Sequence, residues 1–318
     1  MTSVTRILDT LLDRAVVPGY SRIGSAVRSR FWGADPAPFP EPIDVVVTGG
    51  SSGLGAATAT SLAKLGARVH LVGRSTERLE ASAGTIRSAA AGSVVVHRCD
   101  VSDLDSVASL VTTLTSELTG LHALVHCAGV MPPERTLTAQ DHEAAFATHV
   151  LGPVALTVGL RELFDAGSRV VFVSSGGMYP VPLQTQDFEF ADGKYSGMTA
   201  YARTKRMQVV LAEQLAGKLV DEHDPVVHSM HPGWAATPGV TESIPAFGTV
   251  MKPLLRTAAQ GADTIVWLVA GDEALTSTGK FWHDRAIRPT HYPSWRKDSP
   301  EAREALWSTV VEATGIEL

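Results

Sequence analysis

The chain passes from Ile43-Asp44-Val45-Val46-Val47 directly into Thr48-Gly49-Gly50-Ser51-Ser52-Gly53-Leu54-Gly55, then into a stretch rich in helix formers from Ala56 to Leu65. A β-branched run, a glycine-rich turn and a helix in immediate succession leave few folds open. Glycines at such a turn let the backbone reverse tightly and bring bare N–H groups to an anion at the positive end of the helix. A side chain at Gly49, Gly53 or Gly55 would obstruct that approach. With Ser51, Ser52 and Leu54 the turn is expected to cradle the pyrophosphate of a dinucleotide. A flexible Gly/Ser loop is the alternative, and the flanking strand and helix weigh against it.

Further apolar runs follow in alternation with helical stretches. The second, Arg68-Val69-His70-Leu71-Val72-Gly73-Arg74-Ser75, ends where folds of this kind read the adenosine ribose. An acid there selects NAD, and a cation accommodates the phosphate of NADP. Arg74 holds the position, so NADP(H) is the expected cofactor. The third run, Val94 to Asp100, ends in a carboxylate that either accepts from the adenine amino group, with Val101 beside it, or caps the next helix. Leu121 to Gly129 and Arg169 to Ser175 give a fourth and a fifth strand. Near-continuous apolar strands alternating with helices predict an α/β fold: a single Rossmann-type doubly wound parallel sheet with helices on both faces. Its ligand would lie at the carboxyl ends of the strands, where Ala128, Gly129, Ser174 and Ser175 fall.

Of the five tyrosines only Tyr201 has a lysine four residues on. Thr199 to Leu219 reads as a helix, and positions i and i+4 share a helix face. The Lys205 ammonium is therefore expected near the Tyr201 phenol, lowering a pKa that starts near 10 until the phenol exchanges protons near neutrality. Ser175 would hydrogen-bond the substrate oxygen while a nicotinamide exchanges hydride with the adjacent carbon. Ser174 is the second candidate for that role. An exposed Tyr/Lys pair and a strand-end serine that caps a turn are the plainer alternatives.

In order along the chain, the Thr-Gly-x-x-x-Gly-x-Gly turn, the strand-end serine and Tyr-x-x-x-Lys resemble the short-chain dehydrogenase/reductase family over about residues 40 to 290. More narrowly, Val173 to Met178, His231-Pro232-Gly233-Trp234, Thr237-Pro238-Gly239-Val240 and Gln260 to Thr264 resemble its branch called dehydrogenase/reductase SDR family member 12. The resemblance implies that Pro232, Gly233 and Thr237 flank the nicotinamide and that Lys205 also binds its ribose. It implies only loosely a lipid-, retinoid- or steroid-like substrate. The chain departs from the family at His126-Cys127 and at His149, where asparagines are usual. In the family the later asparagine joins a proton relay through its backbone carbonyl, which a histidine keeps, and Gly152-Pro153 can kink the helix beside it. His149 is thus a candidate relay member titrating in the physiological range. The segment Gln184 to Phe190 resembles the insertion of retinol dehydrogenases and is expected to shape the substrate site. Ile244, Phe247, Val250, Met251, Leu254 and Leu255 are expected to form a lid or a packed surface helix, with Trp234 and Met178 lining a pocket beneath.

Composition fits this reading. The 318 residues are 44% hydrophobic, enough for a sizeable core in one domain, and the formal charge of −6 gives no footprint for nucleic acid. The domain is expected over residues 43–298, between an N-terminal extension (1–42) and a last helix (299–318). Two cysteines, Cys99 and Cys127, on separate strands suggest a reducing cytoplasm, and no zinc-type spacing occurs, so no metal is expected. Val4, Ile7, Leu8, Leu11 and Leu12 recur at helical spacing, and a second run, Tyr20, Ile23, Val27 and Phe31, follows Pro18-Gly19. This basic, amphipathic segment either docks on the domain or a partner subunit, or lies on an anionic membrane. No run is long enough to span a bilayer. Prolines 36, 38, 40 and 42 make a stiff connector to the first strand. Ser299-Pro300-Glu301 opens a last helix that packs on the domain or a neighbouring subunit.

The expected activity is therefore NADP(H)-dependent interconversion of a carbonyl and an alcohol on an apolar small molecule, with a homo-oligomer as an open possibility. The alternatives are a nucleotide-binding homologue that has lost turnover and serves as redox sensor or scaffold, and a membrane-surface module.

Overall fold

The computed structural model describes residues 3–90, 92–236, 249, 251–293 and 295–318, with side chains from residue 8. Eight strands form one sheet in the order β3-β2-β1-β4-β5-β6-β7-β8. They are β1 (Asp44–Thr48), β2 (Arg68–Gly73), β3 (Val94–Arg98), β4 (Ala123–His126), β5 (Arg169–Val173), β6 (Val226–Met230), β7 (Lys280–His283) and β8 (Ala286–Ile287). All pairs are parallel except the terminal β7–β8 hairpin. The order reverses direction between β1 and β4, and their carboxyl ends open a crevice there.

Strand alternation divides the core into two layers. Val46, Val72, Leu124, Val170 and Phe172 point to one face. There they meet α6 (Leu104–Glu117), α7 (Ala144–Phe146), α8 (Gly152–Gly159), α9 (Gly197–Lys218) and the last helix, α11 (Pro300–Thr314). Val45, Val47, Val69, Leu71, Val125 and Val171 point to the other, against α4 (Gly53–Lys64), α5 (Thr76–Ala89) and α10 (Ala258–Ala270). The fold is the doubly wound α/β sheet expected from the alternation of apolar runs. Strands β6 to β8 were not legible as strands, because short half-polar runs such as Val-Val-His-Ser-Met carry no periodic signal. The last helix packs on the domain, with Leu306, Trp307 and Val310 in the core.

The N-terminal segment forms α1 (Ser3–Arg14), α2 (Val16–Tyr20) and α3 (Arg22–Arg28), and it docks on the domain. The Pro18-Gly19 pair expected between two helical runs instead lies inside α2. A Cβ at Gly19 would stand 1.9 Å from the Leu12 carbonyl oxygen, so the glycine permits the close contact with α1. Tyr20 is buried at 3% exposure, edge-on to His231, Trp234 and His283. Arg28 pairs with Asp9 at 2.7 Å and Asp284 at 2.8 Å, Arg256 grips Asp284 with two nitrogens, and Arg288 pairs with Asp9 at 2.6 Å. Leu8, Leu11, Val16, Val17, Ile23 and Phe31 stay exposed.

Candidate active site

The turn after β1 has the geometry that its glycines promise. Gly49 and Gly53 take φ of +70° and +56°, in the left-handed region that favours glycine. A Cβ on Gly55 would stand 2.3 Å from the Gly49 carbonyl oxygen. Ser52, at the N-cap of α4, makes no side-chain capping bond, so the first N–H groups of that helix have no side-chain acceptor there. By contrast α5, α6, α9 and α10 are each closed by a Ser, Asp or Thr side chain. An uncapped helix start at the carboxyl ends of parallel strands fits a pyrophosphate, which Gly49, Ser51, Ser52, Gly53, Leu54 and Gly55 could hold.

Ser75, beside Arg74, is spent on capping α5, while Arg74 stands exposed at the end of β2. The Arg98 guanidinium reaches the Arg74 carbonyl at 3.4 Å, adding a second cation that the sequence reading missed. Its signal was the parallel register that sets Gly73 beside Arg98. Asp100 does not cap α6, which Asp103 caps; it accepts from the Ser102 backbone and hydroxyl, fixing the turn that carries Val101. Ala128 is drawn to β1 by Thr48, whose Oγ1 accepts from the Cys127 and Ala128 amides at 3.1 and 3.2 Å. Pro232 and Gly233 follow β6, and Gly233 has φ of +72°. Thr237 and the expected lid residues Ile244, Phe247 and Val250 lie outside the described residues.

The protein separates the two serines. The Ser174 hydroxyl donates to the Lys205 carbonyl at 2.7 Å and is buried, a stitch between β5 and α9. Ser175 accepts from the Gly177 amide at 3.1 Å, and its side chain lies near enough to the Tyr201 phenol to draw its pKa down. The Lys205 ammonium lies 5.4 Å from the centroid of the Tyr201 ring and donates to the Val173 carbonyl at 2.9 Å and to Gln208 Oε1 at 3.0 Å. Ser175, Tyr201 and Lys205 thus meet at the carboxyl end of β5.

The expectation of a lowered tyrosine pKa is corrected. Burial pushes the Tyr201 phenol up to about 12 against the lowering influence of Ser175, and burial takes Lys205 down to about 8. Desolvation of the charged forms outweighs their mutual attraction because the lysine is turned toward Val173 and Gln208. In the resting protein Tyr201 keeps its proton, which suits it to donate.

A second correction concerns His149. The expectation that it titrates in the physiological range fails: the ring is fully buried, and burial with the Lys205 charge holds its pKa well below the usual value. The Val130 amide donates to Nε2 at 3.0 Å, so the proton sits on Nδ1, 2.7 Å from Thr204 Oγ1. The ring stands edge-on to Tyr201 at 5.5 Å. Around it Ala147–Leu151 form a π-helical turn, the irregularity expected from Gly152-Pro153. His126 faces the core, 2.8 Å from Thr157, and burial lowers its pKa to about 3; the Cys127 thiol, beside Lys205, is pushed up to about 12 by burial.

Met178 does not line an open pocket. It is fully buried against Val209 and Phe281, and its Sδ accepts from Arg206. Residues 184–190 fold over α9, with Phe188 and Phe190 buried and the Arg203 guanidinium 4.2 Å from the Phe190 ring centroid. Among the described residues, no cluster of side chains suits a metal ion, and no helix is long and apolar enough to cross a membrane.

The sequence profile described as short chain dehydrogenase matches residues 44–186. Over 273 residues the chain is 38% identical to the human protein named "Dehydrogenase/reductase SDR family member 12", covering 84% of each. The chain is a short-chain dehydrogenase/reductase. A second relative in this family, human "Retinol dehydrogenase 12", is 30% identical and covers 86% of both chains. A solved protein from Mycobacterium Paratuberculosis superposes with a TM-score of 0.69 at 28% identity, over 90% of this chain and 98% of that one. This short-chain dehydrogenase/reductase is thus an oxidoreductase by family, with a nicotinamide cofactor and a small-molecule substrate.

Proposed function

We propose that the protein interconverts a carbonyl and an alcohol on an apolar substrate using NADP(H), with Tyr201 as proton donor, Ser175 as oxygen anchor and Lys205 as electrostatic partner. The carrying observation is that Ser175 and the buried Lys205 ammonium converge on Tyr201 at the carboxyl end of β5. When bound, the nicotinamide supplies or accepts the hydride. Ser175 and Tyr201 hold the substrate oxygen between two hydroxyls. Tyr201 gives its proton to that oxygen as negative charge develops, and Lys205 stabilises the phenolate left behind. Arg74 and Arg98, with no acid at the end of β2, support NADP(H) over NAD(H). The uncapped α4 start, Asp100, Val101, Ala128, Gly129, Pro232, Gly233 and Thr237 would complete the cofactor site.

The relative named for retinol supports an apolar substrate, shaped in part by residues 184–190. A reducing, cytoplasmic setting fits the two free cysteines, and the exposed Leu11, Val16, Val17, Ile23 and Phe31 suit peripheral membrane contact. Oxidation of NADPH and NADH is to be followed with a panel of aldehydes, ketones and steroids, for wild type and Tyr201→Phe. The expected result is faster turnover with NADPH and a loss of about 10²–10⁴-fold in the variant. Tight NADPH binding without turnover on any substrate would instead favour a sensor or scaffold.

A further inference from the structure

Gln208 is a buried polar side chain at the site that the chemistry above leaves unused. It lies on α9 three residues after Lys205, on the same helix face, and is 0% exposed. Both ends of its amide are engaged: Oε1 accepts from the Lys205 ammonium at 3.0 Å, and Nε2 donates to the His149 carbonyl at 2.9 Å. An ammonium only donates and a carbonyl only accepts, so these partners fix which end is oxygen and which nitrogen.

The His149 carbonyl is available for a reason written in the sequence. In a regular α-helix it would accept from the residue four positions on, which is Pro153 and has no N–H. The π-helical turn at Ala147–Leu151 marks the same break in the ladder. A buried carbonyl must find a donor elsewhere, and Gln208 supplies it.

We propose that Gln208 is a positioning residue for the reaction, tying the Lys205 ammonium to the backbone carbonyl that Pro153 leaves without a helical partner. With Val173 taking a second donor, two of the three ammonium hydrogens are fixed, and the third is left for the side facing Tyr201. An amide neither gains nor loses a proton near neutrality, so the Lys205–Gln208–His149 chain holds a charge and passes no proton.

The titratable groups facing Lys205 are Tyr201 on its own helix, Cys127 after β4 and His149 on the π-helical turn. None is anionic at neutral pH by the shifts given above, which leaves Gln208 Oε1 and the Val173 carbonyl as the stabilising acceptors.

This inference rests on the proposed reductase chemistry, and its test has a readout that needs no turnover. The Lys205 side chain is titrated by ¹³Cε NMR in the full-length resting protein, for wild type, Gln208→Met and Gln208→Glu. Removing the acceptor in the methionine variant should move the titration down by about one pH unit, and the carboxylate should move it up by at least as much. With NADPH and a ketone turned over by wild type, the basic limb of the kcat profile should move in the same two directions. Gln208→Met should lose about tenfold in kcat with little change in the KM for ketone. Titrations and pH limbs at wild-type positions in both variants, with only the melting temperature changed, would make Gln208 a core residue and overturn the proposal. Loss of the reductase reading would show separately, as turnover that survives Tyr201→Phe.

Discussion

The two sides of the crevice hold their residues by different means. The β1–α4 turn is built mainly from backbone conformation, with glycines at positive φ, a close approach at Gly55 and an uncapped helix start, and the Ser82 hydroxyl donates to the Gly50 carbonyl at 3.0 Å. Across the sheet, the loop His231–Trp234 is held by residues from both ends of the chain. The Trp234 amide donates to the Tyr20 carbonyl, Arg256 donates to the Gly19 and Ser21 carbonyls, and Asp284 sits between Arg28 and Arg256. A turn of this kind depends on a few neighbouring residues and tolerates few substitutions. A buried charge network depends on every partner being present, because each ion removed strands the others away from water.

The comparison sharpens into measurable differences. Asp284→Ala leaves Arg28 and Arg256 buried without their shared carboxylate, and denaturant unfolding should show a loss of about 3–5 kcal/mol. Gly55→Ala crowds the Gly49 carbonyl and should cost about 1–3 kcal/mol, with a larger proportional loss of NADPH binding than of stability. A turn variant that unfolded the protein more than Asp284→Ala would break the contrast.

The network also sets an acid response. Burial alone would raise the Asp284 carboxyl, but His283, Arg256 and Arg28 hold it far below the usual carboxylate range. Asp9 is lowered by Arg288 and Arg28 against the same desolvation. A carboxylate depressed in the folded state contributes stability that is present above its unfolded pKa and lost as pH falls through the folded value. Unfolding monitored below about pH 4 should therefore show wild type losing its advantage over Asp284→Asn.

On the cofactor side, Arg74→Ala should raise the KM for NADPH about tenfold and leave that for NADH nearly unchanged. The smallest effect is expected at His149. Because the ring is neutral and bonded at both nitrogens, His149→Asn should leave the position of the pH–rate profile where it is in wild type. A shifted limb would restore the histidine to the proton path.

What was legible in the sequence was local. Val45 to Gly55 announces its own strand, turn and helix start, because positive-φ glycines and β-branched runs act within a few residues. Tyr201 and Lys205 were legible because a helix fixes their spacing. Gln208 was not, since a glutamine three residues after a lysine carries no signal until the π-helical turn brings the His149 carbonyl to it. The lysine's electrostatics were misjudged for the same reason: the spacing gives proximity but not burial, and burial decides the sign of the Tyr201 shift.

The sequence by itself determined the doubly wound sheet, the glycine turn and the order Ser175, Tyr201, Lys205, because each follows from backbone preference or helical repeat. Only the tertiary structure decided that Ser175 faces the phenol while Ser174 stitches the core, and that residues 8–33 wall the His231–Trp234 loop through Tyr20 and Arg28. These are contacts between residues up to 279 positions apart, as between Asp9 and Arg288. Desolvation and charge pairing depend on what surrounds a group in space, and no pattern of neighbours along the chain encodes that.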